Sequence, residues 1–404
     1  MKSKIIAIAL FAATVAIVAL YPAYQGLGRV NPATDVAGAG HVNDTAASHA
    51  GRVDVVFVLD TTGSMSGLIQ AAKEKIWSIA TTMASANSAP EIRVGLVAYR
   101  DRGDVYITKV VDLSADLDTM YATLMDFEAE GGGDGPESVN QALHEAVNTM
   151  SWSQHEKAYK VVFLVGDAPP HMDYQDDVKY PVSVAMARNK NIVINTIQAG
   201  NNSSTTKGWQ QIAQLGQGQY FQVGQAGNAV AISTPFDKKI ARLSEKLDDT
   251  RLYYGSQEER VKQKHKLDAA EKIHASASPE SRARRATFNS SKSGDANFLG
   301  ERELIDDVSS GRVDLSSIDR DELPAAMKTM SATEQKTVIS ELAERRNSLQ
   351  NKIRKLAEKR SGYLKKKVKE SGAAKGSLDD KIYSAVREQA GKLGMTYEAD
   401  APEY

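Results

Sequence analysis

The 404 residues contain no cysteine, which excludes disulfides, thiolate nucleophiles, Cys-ligated zinc and a lipidated N-terminal cysteine. An excess of charge of one sign is missing too: 50 Lys+Arg stand against 51 Asp+Glu, a net charge of -1. No global field therefore points to nucleic acid, and electrostatic arguments have to rest on local patches. Common enzyme signatures are absent as well. There is no Gly-x-x-x-x-Gly-Lys-Ser/Thr loop, no Gly-x-Ser-x-Gly elbow and no His-Glu-x-x-His pair, and the seven histidines are scattered. A non-enzyme is expected.

What is present starts with Lys2 and Lys4 ahead of an uncharged, apolar run from Ile5 to Leu20. That is the pattern of a secretory signal or an uncleaved membrane anchor over residues 1–24, with Tyr21 and Tyr24 as interfacial aromatics. No good small-x-small cleavage site follows, which favours the anchor. An exported protein, periplasmic or otherwise extracytoplasmic, is expected, reaching the membrane through this segment. Residues 25–51, rich in Gly, Ala, Asn and Thr, read as a flexible linker. Over the whole chain, 42% hydrophobic and 25% charged residues are ordinary for a globular protein.

From Val53 the apolar pattern alternates between two periods. Val53–Leu59, Ile92–Tyr99, Val105–Val111, Tyr159–Val165, Ile192–Ile197 and Gln219–Val223 read as strands. Helical spacing fills Ser66–Met83, Leu117–Phe127, Ser138–Met150, Val182–Arg188 and Trp209–Leu215. This alternation implies an α/β fold, a doubly wound and mainly parallel sheet of Rossmann-like type, over residues 52–234. The short link between the second and third strands suggests one antiparallel edge pair. Residues 235–404 are charge-rich, mostly α-helical and without a convincing strand. Ser331 and Glu334 form a capping box opening a long helix, with a coiled-coil-like seam over 331–370 that Arg346 and Arg360 interrupt. The seam suits a helical hairpin, a short coiled coil or a plain amphipathic helix packed on the first domain.

In such a sheet, ligands bind outside the carboxyl ends of the strands. Three loops rich in oxygen ligands reach that rim: Asp60-Thr61-Thr62-Gly63-Ser64 after the first strand, Gly131-Gly-Gly-Asp134-Gly-Pro-Glu137-Ser138, and Gly166-Asp167 after the fourth. Residues two apart can point the same way from an extended turn, so Asp60, Thr62 and Ser64 form one half of an all-oxygen site. Hard divalent cations want that donor set: Mg2+, or Mn2+ or Ca2+. An Asp-Thr-Thr turn can also be only a helix N-cap, but here two further acidic loops join it. Tyr99–Asp104 and the acidic loop after Asp167, with His171 and Asp173, lie close in sequence. Asp101, Asp104, Ser138 and His171 are therefore candidates for a ligand-binding rim.

These residues resemble the von Willebrand factor A (VWA) domain, and Asp60-x-Thr62-x-Ser64 is similar to its metal-ion-dependent adhesion site. The resemblance implies a cation held by the first loop, a threonine of the second and an aspartate of the third, here Asp167. The second loop departs from the common threonine pattern. It is similar to the acidic Gly-Gly-Asp loop of bacterial and hemicentin-like members, which puts Asp134 in the threonine's role, with Ser138 as the alternative. The implied function is cation-dependent capture of a protein partner in the cell envelope, through a partner Asp or Glu. A metal-stabilised scaffold whose helical tail assembles an envelope complex is the alternative; a metal-dependent hydrolase ranks third, because no general base is evident. Basic residues concentrate in Lys352–Lys375, where a solvated helix face is the ordinary reading and anionic lipid or another acidic polymer the functional one. With Tyr363 as its lone aromatic, the stretch offers no base-stacking platform.

Overall fold

The computed structural model describes residues 51–133, 135–225, 232–371 and 378–397. The N-terminal segment, nearly all of the linker, and Asp134 lie outside the described residues. Among those described, no helix is long and apolar enough to cross a membrane.

Six strands form one sheet: β1 (Arg52–Asp60), β2 (Glu91–Tyr99), β3 (Thr108–Ser114), β4 (Tyr159–Gly166), β5 (Ile192–Ala199) and β6 (Gln217–Val223), in the order β3-β2-β1-β4-β5-β6. All neighbours are parallel except β2 and β3, the antiparallel pair at one edge. Helices cover both sides of the sheet at β1, so both of its faces are apolar. Val53 and Val55 enter one core layer, Val56 and Val58 the other.

Helices α1 (Ser66–Ala84) and α2 (Leu117–Met125) cover the first face; α3 (Val139–Asn148), α4 (Tyr180–Asn189) and α5 (Ser203–Leu215) cover the second. Two elements differ from the apolar pattern. β3 begins at Thr108 rather than Val105, because the preceding residues form a loop that Arg100 closes by donating its N–H to the Ile107 carbonyl at 2.9 Å. α5 begins at Ser203 rather than Trp209: its first turn is wholly polar, and the Asn202 side chain caps it by accepting from Ser204 N at 3.0 Å.

After β6 come α6 (Asp237–Asp248), α7 (Gln257–Ser276), α8 (Pro279–Asn289), α9 (Asp295–Leu299), α10 (Leu304–Ser309), the 40-residue α11 (Ala332–Ser371) and α12 (Leu378–Gly391). The capping box at the start of α11 is present, with Ser331 N donating to Glu334 Oε2 at 2.7 Å and Glu334 N to Ser331 Oγ at 3.3 Å. The seam of α11 lies against α6, α8 and α10 of the same chain. Its two arginines are buried there on acidic partners: Arg346 makes two 2.8 Å bonds to Glu303, and Arg360 Nε reaches Asp237 at 2.7 Å. A charged seam thus becomes a set of specific intramolecular pairs.

α7 packs on α2 and α8 on α1, so this helical region grips the first face of the sheet domain. The junction contains a buried ion network. Arg285 forks onto Asp118 with bonds of 2.6 and 2.5 Å and reaches Asp248 at 2.7 Å. His274 adds a 2.7 Å contact to Asp248, and Asn297 accepts from the Asp118 N–H at 3.0 Å. α12 then returns to α1 and β6, and its Ile382, Tyr383 and Val386 join the same core layer as Val53 and Trp77. The helices from α6 to α11 therefore stand between β6 and a final helix that completes the sheet's first face.

Candidate metal centre

Strand register builds the rim. Asp60, the last residue of β1, lies beside Tyr99 of β2, while Leu59 pairs with Val165 of β4, leaving Gly166 level with Asp60. Between β1 and β4 the chain turns from building one side of the sheet to building the other, and there a crevice opens.

Asp60 is fully buried. Its Oδ1 accepts from Thr62 N at 2.9 Å and Thr62 Oγ1 at 2.6 Å, and Oδ2 has no hydrogen-bond partner. A buried carboxylate oxygen left in this way costs several kcal/mol, on the order of 1–3 for a neutral group and more for a charged one. Burial pushes the Asp60 carboxyl up to about 7, against the lowering effect of the Thr62 bonds and of the nearby Asp167 backbone N–H, and with the help of the Asp167 charge. Beside it the Tyr99 hydroxyl is also buried without a partner, and burial together with Asp60, Glu137 and Asp167 raises its pKa. Gly166 lets this cluster close up: a Cβ there would sit 2.5 Å from the Tyr99 hydroxyl and 3.1 Å from Asp60 Oδ2.

Oxygen donors surround Asp60. Thr62 Oγ1 lies 3.4 Å from the exposed Ser64 Oγ. Asp167 is half-buried, its Oδ2 accepting from Gln225 Nε2 at 2.7 Å; the same nitrogen is 3.2 Å from the Ser64 carbonyl. The glycine loop is stitched to the first loop, Gly63 N donating to the Gly131 carbonyl and Glu130 N to the Thr61 carbonyl, each at 3.1 Å. Gly131 and Gly132 have φ of 76° and 82°, a backbone that side chains resist. Asp104 packs directly on Gly131 and accepts from Gly132 N at 3.0 Å. This arrangement carries the loop across Thr62 just before Asp134, which itself lies outside the described residues.

The other rim candidates form a separate hub. Ser138 is buried and donates to Asp101 Oδ1 at 2.8 Å, while Asp101 Oδ2 takes the Tyr174 hydroxyl at 2.9 Å and His171 Nε2 at 3.3 Å. His171 stacks on Tyr174 with centroids 4.0 Å apart, and its Nδ1 lies 2.8 Å from Asp173. Arg102 pairs with Asp176 at 2.9 Å and Asp177 at 3.1 Å. The structure thus gathers Asp60, Thr62, Ser64 and Asp167 at one rim, sets Ser138, Asp101 and His171 in a neighbouring hub, and uses Asp104 to brace the loop between. Tyr99 and Gln225 are additions. Tyr99 opened a stretch already singled out in the sequence; Gln225 gave no local signal.

Among the described residues, no group of three His, Cys, Asp or Glu side chains is arranged to hold a metal. The donors here are instead two carboxylates with two hydroxyls. An enclosed, partnerless carboxylate oxygen amid acidic neighbours suits a divalent cation with oxygen ligands.

Residues 54–235 match the family model of the von Willebrand factor A domain. An ariadne-like RING finger protein of Acanthamoeba polyphaga mimivirus is 29% identical over 119 residues, 30% of this chain and 11% of that protein. Alpha-protein kinase vwkA of Dictyostelium discoideum is 29% identical over 121 residues, 30% of this chain and 19% of that protein. The chain thus matches less than a fifth of the length of either relative. Among solved structures, BatB from Bacteroides thetaiotaomicron is similar at 15% identity and a TM-score of 0.33, over 43% of this chain and 90% of that one. Proximal thread matrix protein 1 from the mussel byssus, with a zinc-occupied MIDAS motif, gives 17% and 0.33 over 43% and 41%.

Proposed function

We propose that this von Willebrand factor A domain is a cation-dependent protein-binding module, holding Mg2+, Mn2+ or Ca2+ at Asp60, Thr62, Ser64, Asp134 and Asp167. The observation that carries the reading is the buried, partnerless Oδ2 of Asp60, on a carboxylate whose Oδ1 holds the Thr62 hydroxyl beside that of Ser64 and which feels the charge of Asp167. The bound cation would supply positive charge that an acidic group can approach. Asp60 orients Thr62 through two hydrogen bonds, Gln225 holds the Asp167 carboxylate, and Gly131 and Gly132 keep the second loop close. Ser64 is exposed, so the site opens outward, where a partner's Asp or Glu would complete the ligand shell. Hydroxyl donors add little negative charge, leaving the ion able to accept that carboxylate.

The role proposed is binding; His171, the histidine nearest these loops in sequence, sits with Asp173 and Asp101 in the neighbouring hub. The proposed setting is the cell envelope, reached by export through residues 1–24. A scaffold role has one observation in its favour, the long helical region clamped to the sheet domain by buried ion pairs.

Calorimetric titration of Mg2+, Mn2+ and Ca2+ into the wild-type chain and Asp60→Ala tests the site. Saturable binding at one site, lost in the variant with its circular dichroism intact, is the expected result. Equal binding by both proteins would remove Asp60 from the site, and with it the mechanism.

A further inference from the structure

The long helix α11 has two unlike halves. Its first half, up to Asn351, mixes Glu334, Glu341 and Glu344 with Lys336, Arg345 and Arg346. From Lys352 to Glu370 nine basic residues face only Glu358 and Glu370. A solvated helix face is normally mixed in sign, as the first half is. The second half is not.

At about 100° per residue, Lys352, Lys355, Lys359, Lys366 and Lys369 fall within one arc of roughly 100°, about 25 Å long at 1.5 Å per residue. All five are exposed. The buried positions Ile353, Arg360, Leu364 and Val368 lie on roughly the other side of the helix, packed into the chain. None of the five lysines has an acidic partner among the described residues; the neighbouring Lys367 is the one that Glu370 takes, at 3.1 Å. Attraction to the negative end of the helix accounts for cations only in its last turn. Lys352, Lys355 and Lys359 lie well before it.

We infer that this lysine stripe is a docking surface for an anionic lipid bilayer. Its chemistry fits a sheet of headgroup charge better than a shaped ligand. The stripe is built of lysines, compact point charges on flexible stems, while the two arginines of the segment stand outside it, Arg360 being buried on Asp237. Its five side chains stand exposed along one face of the helix, open to a flat surface. Such contacts are individually weak, roughly a factor of five in partition per lysine close to an anionic surface, and they become useful when added to a second membrane signal.

The test measures partition of the full-length chain into vesicles of phosphatidylcholine alone and of phosphatidylcholine mixed with phosphatidylglycerol, at low and high salt. Subtracting the first from the second removes whatever the N-terminal segment contributes. Preference for the anionic vesicles of at least tens-fold at low salt is expected, shrinking as salt screens the charges. Changing the five lysines to glutamine, which keeps helix propensity, should abolish that preference. A control with Lys238→Gln, Lys239→Gln and Lys246→Gln, exposed on α6, should keep it. No preference in the wild-type chain, an unchanged preference in the five-lysine variant, or binding to duplex DNA in place of vesicles would each overturn the inference.

Discussion

Asp60 and Asp118 are both fully enclosed aspartates on the same sheet domain, yet their surroundings differ in kind. At the helical junction, burial would raise the Asp118 pKa, but the Arg285 charge and its paired hydrogen bonds hold it below the ordinary value, with Asn297 adding a further bond. Asp248 is likewise held low against burial by Arg285, Arg251 and His274. At the rim no cationic side chain among the described residues answers Asp60, and burial wins. A buried charge with its partners supplied by the chain holds two parts of the molecule together. One left without a partner among the described residues is the place where the proposed cation would supply it.

The largest expected effect tests the satisfied side. Arg285→Ala would leave Asp118 and Asp248 enclosed without their main partner, and should cost about 3–5 kcal/mol in denaturant unfolding. A loss near zero would mean that the network closes without it. On the rim the sign should reverse. Asp60→Asn keeps an acceptor for Thr62 and removes the unanswered charge. It should stabilise the cation-free protein above pH 7 by at most about 4 kcal/mol, the equivalent of the rise from 3.8 to about 7. The same variant should lose cation binding.

The pH dependence sharpens this. Between about 3.8 and 7 the folded chain keeps a proton on Asp60 that the unfolded chain has lost, so this group makes stability fall as pH rises through that window. Below the window both states are protonated, and above it neither is, so the slope vanishes at both ends. A saturating cation, or Asp60→Asn, should remove that component from thermal melts recorded across the range. Gly166→Ala, forcing a Cβ against Tyr99 and Asp60, should cost roughly 1–3 kcal/mol by overpacking. The smallest effect is expected from Gln225→Ala, a few-fold drop in cation affinity with stability changed by less than about 1 kcal/mol, since its bond is exposed.

Much of the sheet was legible because its strands carry continuous apolar runs and the residues between them keep helical spacing. The oxygen-rich loops were legible for a related reason: Asp60 ends one buried strand and Asp167 directly follows another, which locates them on one rim. What escaped was non-local. Ile382, Tyr383 and Val386 complete the core from a charge-rich tail far along the chain, and no pattern within that tail says which surface they cover. Arg346 and Arg360 stood out on the seam of α11, but only folding supplies Glu303 and Asp237 as the reason. Gln225 reaches Asp167 across 58 residues, where no motif could point. The late start of β3 and the early start of α5 were hidden because loop closure and capping, rather than apolar burial, set those ends.

The most direct test of the claim that Asp60 awaits a cation is anomalous diffraction from crystals of this protein grown with Mn2+. One strong peak within about 2–2.5 Å of the Thr62 and Ser64 hydroxyls, beside Asp60 and Asp167 and absent from Asp60→Asn crystals, is the predicted result. No peak at that rim at saturating Mn2+, or the same peak in the variant, would contradict the account.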